Sequence, residues 1–211
     1  MKVIFLDIDG VMNSRVFYQE RYKRIKRRSW LKLRTYWYHL KKILGIKSKG
    51  VSLADYKIPD SAYEFSNQLR RLKEETCSEK WKWLSEWGNE NEVKICVSSV
   101  WRNHFGTREG RTPHLWENAL GDLGFNSDTF VGITTTRRGL RGEEIQEWLD
   151  EHPEVEDYAI LDDDSDMLPE QFKKFHHCDP WFGLTPNHLY RIGRQFDGLS
   201  NYEKNTEALK G

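Results

Sequence analysis

Four short apolar runs set the rhythm of the chain: Val3-Ile4-Phe5-Leu6, Val93-Lys94-Ile95-Cys96-Val97, Phe130-Val131-Gly132-Ile133 and Tyr158-Ala159-Ile160-Leu161. The first shows no alternation of apolar and polar positions and reads as a strand buried on both faces, as in the centre of a parallel sheet; the second reads as another buried strand, and the last two as the third and fourth strands. Between them the apolar positions recur every three or four residues. Phe65, Leu69 and Leu72 form one such face, opened by the Ser61/Glu64 pair of a capping box, and Trp81, Leu84 and Trp87 extend or follow it as far as Gly88. Leu115, Trp116, Leu120 and Leu123 predict a short helix that stops at Gly124; Ile145, Trp148 and Leu149 predict another over 143–151, with Pro153 beyond its end. A weaker strand near Phe172 to Cys178 and a helix from Pro186 to Gln195 complete the series. Strands alternating with helices in this way predict an α/β protein with a Rossmann-like parallel sheet and right-handed crossovers. The polar stretch Arg108 to Thr112 reads as a loop.

One segment breaks the alternation. After Val11 the pattern turns helical and basic through Arg21, Lys23, Arg24, Lys26, Arg27 and Arg28, and Trp30, Leu33, Trp37, Leu40 and Leu44 then form a single apolar stripe that ends at Gly45. The expected division is therefore a core of residues 1–12 and 61–211, with residues 13–60 a basic helical insertion after the first strand.

Charge sharpens this picture. The chain carries 33 basic and 33 acidic side chains, yet residues 15–49 contain a single acid, Glu20, so the remainder is acidic by the same amount. Such a split suits a local anionic partner, although a solvated basic face explains the run equally well on its own. At 211 residues the chain suits one domain with an insertion, and its nine Trp and ten Phe supply bulk where the apolar fraction is only 37%. Cys77, Cys96 and Cys178 have neither the pairing of a disulfide framework nor zinc-ligand spacing. With no signal-like leader and no apolar stretch of membrane-spanning length, a soluble protein of a reducing cytoplasm is expected.

The chemistry lies where the strands stop. The first ends in Asp7-Ile8-Asp9-Gly10, the second in Ser98-Ser99-Val100-Trp101-Arg102, and the fourth in Asp162-Asp163-Asp164-Ser165-Asp166; Arg137, Arg138 and Arg141 precede the helix that leads to the fourth. Ligands of open α/β sheets bind at the carboxyl ends of strands. Carboxylates gathered there repel one another unless a cation joins them, and their hard oxygens suit Mg²⁺, a metal that assists phosphoryl transfer. Cys96 and Arg102 have the spacing of a cysteine-dependent phosphatase, but the intervening residues lack the glycine that such a phosphate loop needs, and Cys96 falls within the apolar run, where a structural thiol is the ordinary reading. His176, His177 and Cys178 read as structural, since neighbours on a strand face opposite ways. His104 and His114, in the loop after the second strand, are better placed than these to touch substrate.

These strings resemble those of the haloacid dehalogenase (HAD) superfamily of phosphohydrolases, whose four motifs find matches between residues 3 and about 166. The sequence is most similar to HAD-type domains associated with "Swiss Army Knife" RNA repair proteins, through Ser98 to Arg102, Arg141 to Leu149 and Leu161 to Asp166. The resemblance implies Asp7 as the nucleophile that becomes an aspartyl phosphate and Asp9 as general acid and then base. It implies Ser98 as a donor to a phosphoryl oxygen and Arg141, or Arg138 in its place, as the basic residue that steadies nucleophile and phosphate. Asp163, with Asp162 or Asp164 beside it, would complete a Mg²⁺ shell with Asp7 and the backbone carbonyl of Asp9. Ser99 joins the substrate-binding candidates. Arg102 departs from the general superfamily pattern; it would either grip a substrate phosphate or pair with a neighbouring acid.

The expected activity is Mg²⁺-dependent hydrolysis of a phosphomonoester, with RNA or DNA ends or nucleotides as candidate substrates and the insertion as a cap that decides among them. A small-molecule phosphatase and a HAD-like module that binds nucleic acid without turnover are the alternatives. Two acids beside the phosphate are more than a pure binder needs.

Overall fold

A computed structural model describes residues 1–23, 60–103, 106–107, 110–111, 113–135 and 140–196. Most of the proposed insertion, with Arg24 to Arg28 and the stripe from Trp30 to Leu44, lies outside the described residues, as do His104, Arg137 and Arg138 and the side chain of His114.

Strand β1 (Lys2–Leu6) is followed by a helical stretch at 15–23, α1, and then by α2 (Asp60–Glu75) and α3 (Ser78–Glu90). Strand β2 (Lys94–Val97) runs into a 3-10 turn, Val100–Asn103, and next come β3 (Gly106–Thr107), β4 (Gly110–Arg111), α4 (Pro113–Asp122) and β5 (Phe130–Ile133). The chain continues through α5 (Arg141–Glu151), β6 (Asp157–Asp162), a 3-10 turn at Pro169–Lys173, β7 (Phe175–His177) and α6 (Pro186–Gln195). Five strands form one sheet in the order β5-β2-β1-β6-β7, and every pairing in it is parallel. This is the Rossmann-like α/β sheet that the spacing of apolar runs predicts. Within Arg108 to Thr112, expected as loop, Gly110 and Arg111 instead pair with Thr107 and Gly106 in a two-residue antiparallel ladder.

The unbroken apolar runs serve two cores at once. Val3, Ile4, Phe5 and Leu6 are all fully buried. Because side chains of a strand point alternately to opposite faces, Ile4 and Leu6 join Ile95, Val97, Ala159 and Leu161 on one side, while Val3 and Phe5 join Cys96 and Ile160 on the other. The first face is covered by Leu72 of α2, Trp81, Leu84 and Trp87 of α3, Trp116 and Leu120 of α4, and Leu189 and Ile192 of α6. The second is covered by Ile145 and Trp148 of α5, with the Phe5 ring edge-on to Trp148 at 5.3 Å and to Tyr158 at 5.8 Å. Each such side chain contributes about 1.5–3 kcal/mol on burial, so one polar substitution within β1 would weaken both layers. Among the described residues no helix is long and apolar enough to cross a membrane.

Strand order is what places the site. From β1 the chain steps outward through β2 to β5, then returns to the other side of β1 for β6 and β7. The direction of winding reverses at β1, so the crevice at its carboxyl end, flanked by the ends of β2 and β6, is the switch point at which ligands of such sheets bind.

Candidate active site

Asp7, Ser98 and Asp162 occupy the ends of three adjacent strands. The Asp7 N–H donates to the Leu161 carbonyl at 2.9 Å and the Ser98 N–H to the Leu6 carbonyl at 3.0 Å, which carries the ladder up to the site. Residues far apart in sequence are thus fixed by main-chain bonds rather than by mobile loops.

Asp7, Asp162 and Asp163 each present a carboxylate oxygen, and the three oxygens lie within 4.8 Å of one another. Asp7 and Asp162 are buried, Asp163 half-buried. Burial pushes the Asp7 carboxyl up to about 6, against the pull of Arg141 and a hydrogen bond from the Ser99 hydroxyl. Asp162 is pushed up to about 8, first by burial and then by the negative charge of Asp7. Asp163 is also raised, chiefly by burial. A carboxyl displaced in this direction is one whose ionised form lacks enough partners. The hydrogen bonding agrees: among the described residues Asp7 Oδ1 and Asp162 Oδ2 are buried and accept none.

Arg141 supplies part of the missing charge. Its Nε lies 3.3 Å from Asp162 Oδ2 and its Nη2 3.8 Å from Asp7 Oδ1, while Nη1 has no hydrogen-bond partner among the described residues. Sequence periodicity starts the helix at Glu143, yet α5 begins at Arg141. The difference comes from Asp166, whose carboxylate accepts the Arg141 N–H at 2.9 Å and whose carbonyl accepts that of Gly142 at 3.1 Å. These bonds satisfy main-chain donors that a helix start leaves open. The last acid of the Asp-rich run therefore places the arginine instead of joining the carboxylate cluster.

One guanidinium against three carboxylates leaves the cluster short of positive charge. Orphaned oxygens, mutual proximity and all-oxygen donors fit a hard divalent cation such as Mg²⁺. Asp164 is exposed, and its N–H donates to Asp162 Oδ1 at 2.9 Å. Gly10 shapes the opposite wall. It sits at φ +65°, and a Cβ there would fall on the Asp163 carboxylate. That explains the glycine after the second aspartate better than turn propensity does.

Asp9 points elsewhere. Its carboxylate is not part of the three-acid group, and its Oδ1 accepts the Trp101 indole N–H at 2.9 Å and the Asn13 amide at 2.8 Å. Its backbone carbonyl, expected as a metal ligand, accepts the Val11 N–H at 2.7 Å. Ser98 is fully buried, and its Oγ has no partner among the described residues; the same holds for the Thr134 hydroxyl at the end of β5, a residue that carries no motif signal.

Arg102 takes the second of its two expected roles. Its side chain is 2% exposed and its Nη2 lies 3.0 and 2.8 Å from the two Glu144 carboxylate oxygens, while Nη1 donates to the Ser98 carbonyl at 2.7 Å. Cys96 is fully buried, and desolvation pushes its thiol well above the ordinary range. A thiol that resists ionisation is a poor nucleophile, so the glycine-poor loop and the burial agree. His176 bonds Gln195 at 2.9 Å and His177 the Asp163 carbonyl at 3.1 Å, both structural contacts.

The loop after β1 is braced from below by Lys80, which donates to the carbonyls of Val11 at 3.0 Å and Phe182 at 2.6 Å. Apolar spacing on α3 gives no hint of this role.

The chain is thus an α/β protein with a doubly wound parallel sheet, an acid cluster that could hold a metal ion, and an arginine at its switch point. A family model described as the HAD domain in Swiss Army Knife RNA repair proteins matches residues 3–189, and the chain belongs to that family. No curated protein and no solved structure matches it.

Proposed function

We propose that the protein is a Mg²⁺-dependent phosphomonoester hydrolase acting through an aspartyl-phosphate on Asp7. The observation that carries this reading is the buried Asp7 Oδ1 at the switch point, which accepts no hydrogen bond among the described residues, with Arg141 and two further carboxylates around it. Asp7, Asp162 and Asp163, with the Asp9 main-chain carbonyl, would hold the metal. When bound, Mg²⁺ supplies positive charge that neutralises phosphoryl oxygens.

The remaining work falls to side chains of this chain. An Asp7 oxygen attacks phosphorus, the bond to the leaving oxygen breaks, and Asp9 gives that oxygen its proton. Asp9 then takes a proton from water as the water oxygen attacks phosphorus. The bond to Asp7 breaks, which releases phosphate and restores the carboxylate. Arg141 favours ionised Asp7 and steadies the phosphoryl group. The Ser98 hydroxyl, buried and without a hydrogen-bond partner among the described residues, would donate to a phosphoryl oxygen, and Ser99 orients Asp7.

Polynucleotide ends or nucleotides are the proposed substrates. Exposed Tyr18, Tyr22, Trp181 and Phe182, with the Arg15 guanidinium 5.2 Å from the Trp181 ring, support this, as does the basic run from Arg21 to Arg28. Charge interleaved with stacking surface is how single strands are held. In this reading residues 13–60 form a cap that selects the substrate, with Arg138 as a further phosphate contact, and the three free thiols fit a cytoplasmic setting. A phosphate-release screen with nucleotides, sugar phosphates and 3′- or 5′-phosphorylated oligonucleotides, with and without Mg²⁺, tests it. Turnover of oligonucleotide ends that weakens with salt supports the reading, since each neutralised phosphate releases counterions. Salt-indifferent turnover of sugar phosphates alone would leave a small-molecule phosphatase. Salt-sensitive oligonucleotide binding without phosphate release would mark a binding module.

A further inference from the structure

We infer that Trp101 and Asn13 are positioning residues for Asp9, holding its carboxylate in one orientation with Oδ1 occupied so that Oδ2 alone faces the reaction. The inference rests on the role of Asp9 as proton donor proposed above.

Asp9 is exposed, and a short side chain at a loop tip has several rotamers open to it. Here two donors from separate segments meet on one of its oxygens: the Trp101 indole N–H at 2.9 Å, from the 3-10 turn after β2, and the Asn13 Nδ2 at 2.8 Å, from the turn after β1. Oδ2 has no donor among the described residues.

The orientation of Asn13 follows from its partners. The Gly10 N–H, which can only donate, lies 2.9 Å from Asn13 Oδ1, so the amide nitrogen must be the atom turned toward Asp9. The same Nδ2 donates to the Tyr18 hydroxyl at 2.9 Å, which ties α1 to the arrangement. Trp101 is equally fixed. It is 4% exposed, its backbone N–H donates to Ser99 Oγ at 3.3 Å, and the Arg71 guanidinium lies 5.4 Å from its ring centroid.

The chemistry of the two donors decides what they can do. An indole N–H has no lone pair to accept with, and a carboxamide nitrogen accepts no hydrogen bond. Neither can take a proton from Asp9, and a proton on Oδ1 would face two N–H groups that cannot turn away. The transferable proton is therefore kept on Oδ2. A hydroxyl or imidazole in either place could have relayed the proton instead.

Trp101→Phe removes the N–H and keeps most of the ring volume. Assayed with Mg²⁺, kcat/KM reports events up to departure of the leaving group. An alkyl phosphate needs its leaving oxygen protonated, whereas 4-nitrophenyl phosphate hardly does. General acid catalysis contributes about 10²- to 10⁴-fold, so the alkyl-to-aryl ratio of kcat/KM should fall by about ten-fold or more in the variant. Equal losses on both substrates would reduce Trp101 to a structural role and overturn the inference.

A second readout needs no turnover. The Trp101 indole cross-peak, identified by its loss in Trp101→Phe, should move upfield in Asp9→Ala as its carboxylate acceptor disappears; an unmoved peak overturns the positioning claim. Wild-type protein that hydrolyses no phosphomonoester while the peak still moves would sink the hydrolase reading and the acid role, but not the geometry.

Discussion

Arg102 and Glu144 form a two-point ion pair inside the protein, with side chains only 2% and 6% exposed, and through it the turn after β2 is fastened to the first turn of α5. Since Arg102 also bonds the Ser98 carbonyl and α5 starts with Arg141, the pair sets the separation between a candidate phosphate donor and the arginine beside Asp7.

Glu144→Ala should cost about 3–5 kcal/mol, because it takes from a buried guanidinium the carboxylate that it meets at 2.8 and 3.0 Å. Replacing both partners, as in Arg102→Met with Glu144→Leu, should recover much of that loss. Urea unfolding of the two variants checks this; a double variant no more stable than Glu144→Ala contradicts it.

Asp7→Asn should abolish phosphate release and leave the fold intact, whereas Cys96→Ser should change turnover little. Steady-state assays beside circular dichroism make the comparison. A thiol-dependent activity that survives EDTA would invert the ranking.

Without metal, stability should fall as pH rises. Asp7 and Asp162 titrate in the fold at about 6 and about 8, above the ordinary 3.8, so between those limits the folded protein holds protons that the unfolded chain has released. Their contribution is fully present below about pH 4 and is lost by about pH 8. Urea unfolding in EDTA at pH 5 and pH 8 reads the slope, and Asp162→Asn should flatten it. Added Mg²⁺ should raise Tm most at the alkaline end.

Gly10→Ala combines two penalties. An alanine at φ +65° costs about 1–2 kcal/mol, and its methyl group displaces the Asp163 carboxylate. Mg²⁺ affinity should fall by about 10- to 100-fold, the range seen when support of a metal ligand is lost. Calorimetric titration checks it, and Asp163→Asn should give a comparable loss without the strain.

How far this was legible in the sequence depends on the range of the interaction. Strands β1, β2 and β6 announce themselves because most of their residues are buried, which leaves runs rich in Val, Ile, Leu and Phe; β5, at the edge of the sheet, is only half-buried yet keeps a short apolar run. Strand β7 is harder to bound: the 3-10 turn at Pro169–Lys173 takes up part of the expected strand, and only Phe175–His177 pairs with β6. Asp7, Asp162 and Asp163 are readable as a cluster once strands are known to be parallel, because strand ends then share an edge. Partnerships between distant side chains leave no local trace. Trp101 finds Asp9 across 92 positions and Arg102 finds Glu144 across 42, and no periodicity marks either pair. The start of α5 has the same cause, since its cap lies 25 residues downstream.

The central place of β1 bears on how the protein is made. It is translated before the other four strands of its sheet, yet its partners there begin at Lys94 on one side and Asp157 on the other. A strand with four fully buried residues must therefore wait, as the ribosome extends the chain, until residues beyond Asp157 have emerged. Apolar segments left waiting in this way are prone to aggregate, so the yield of folded protein in a cell should depend on chaperones that shield the nascent β1 segment.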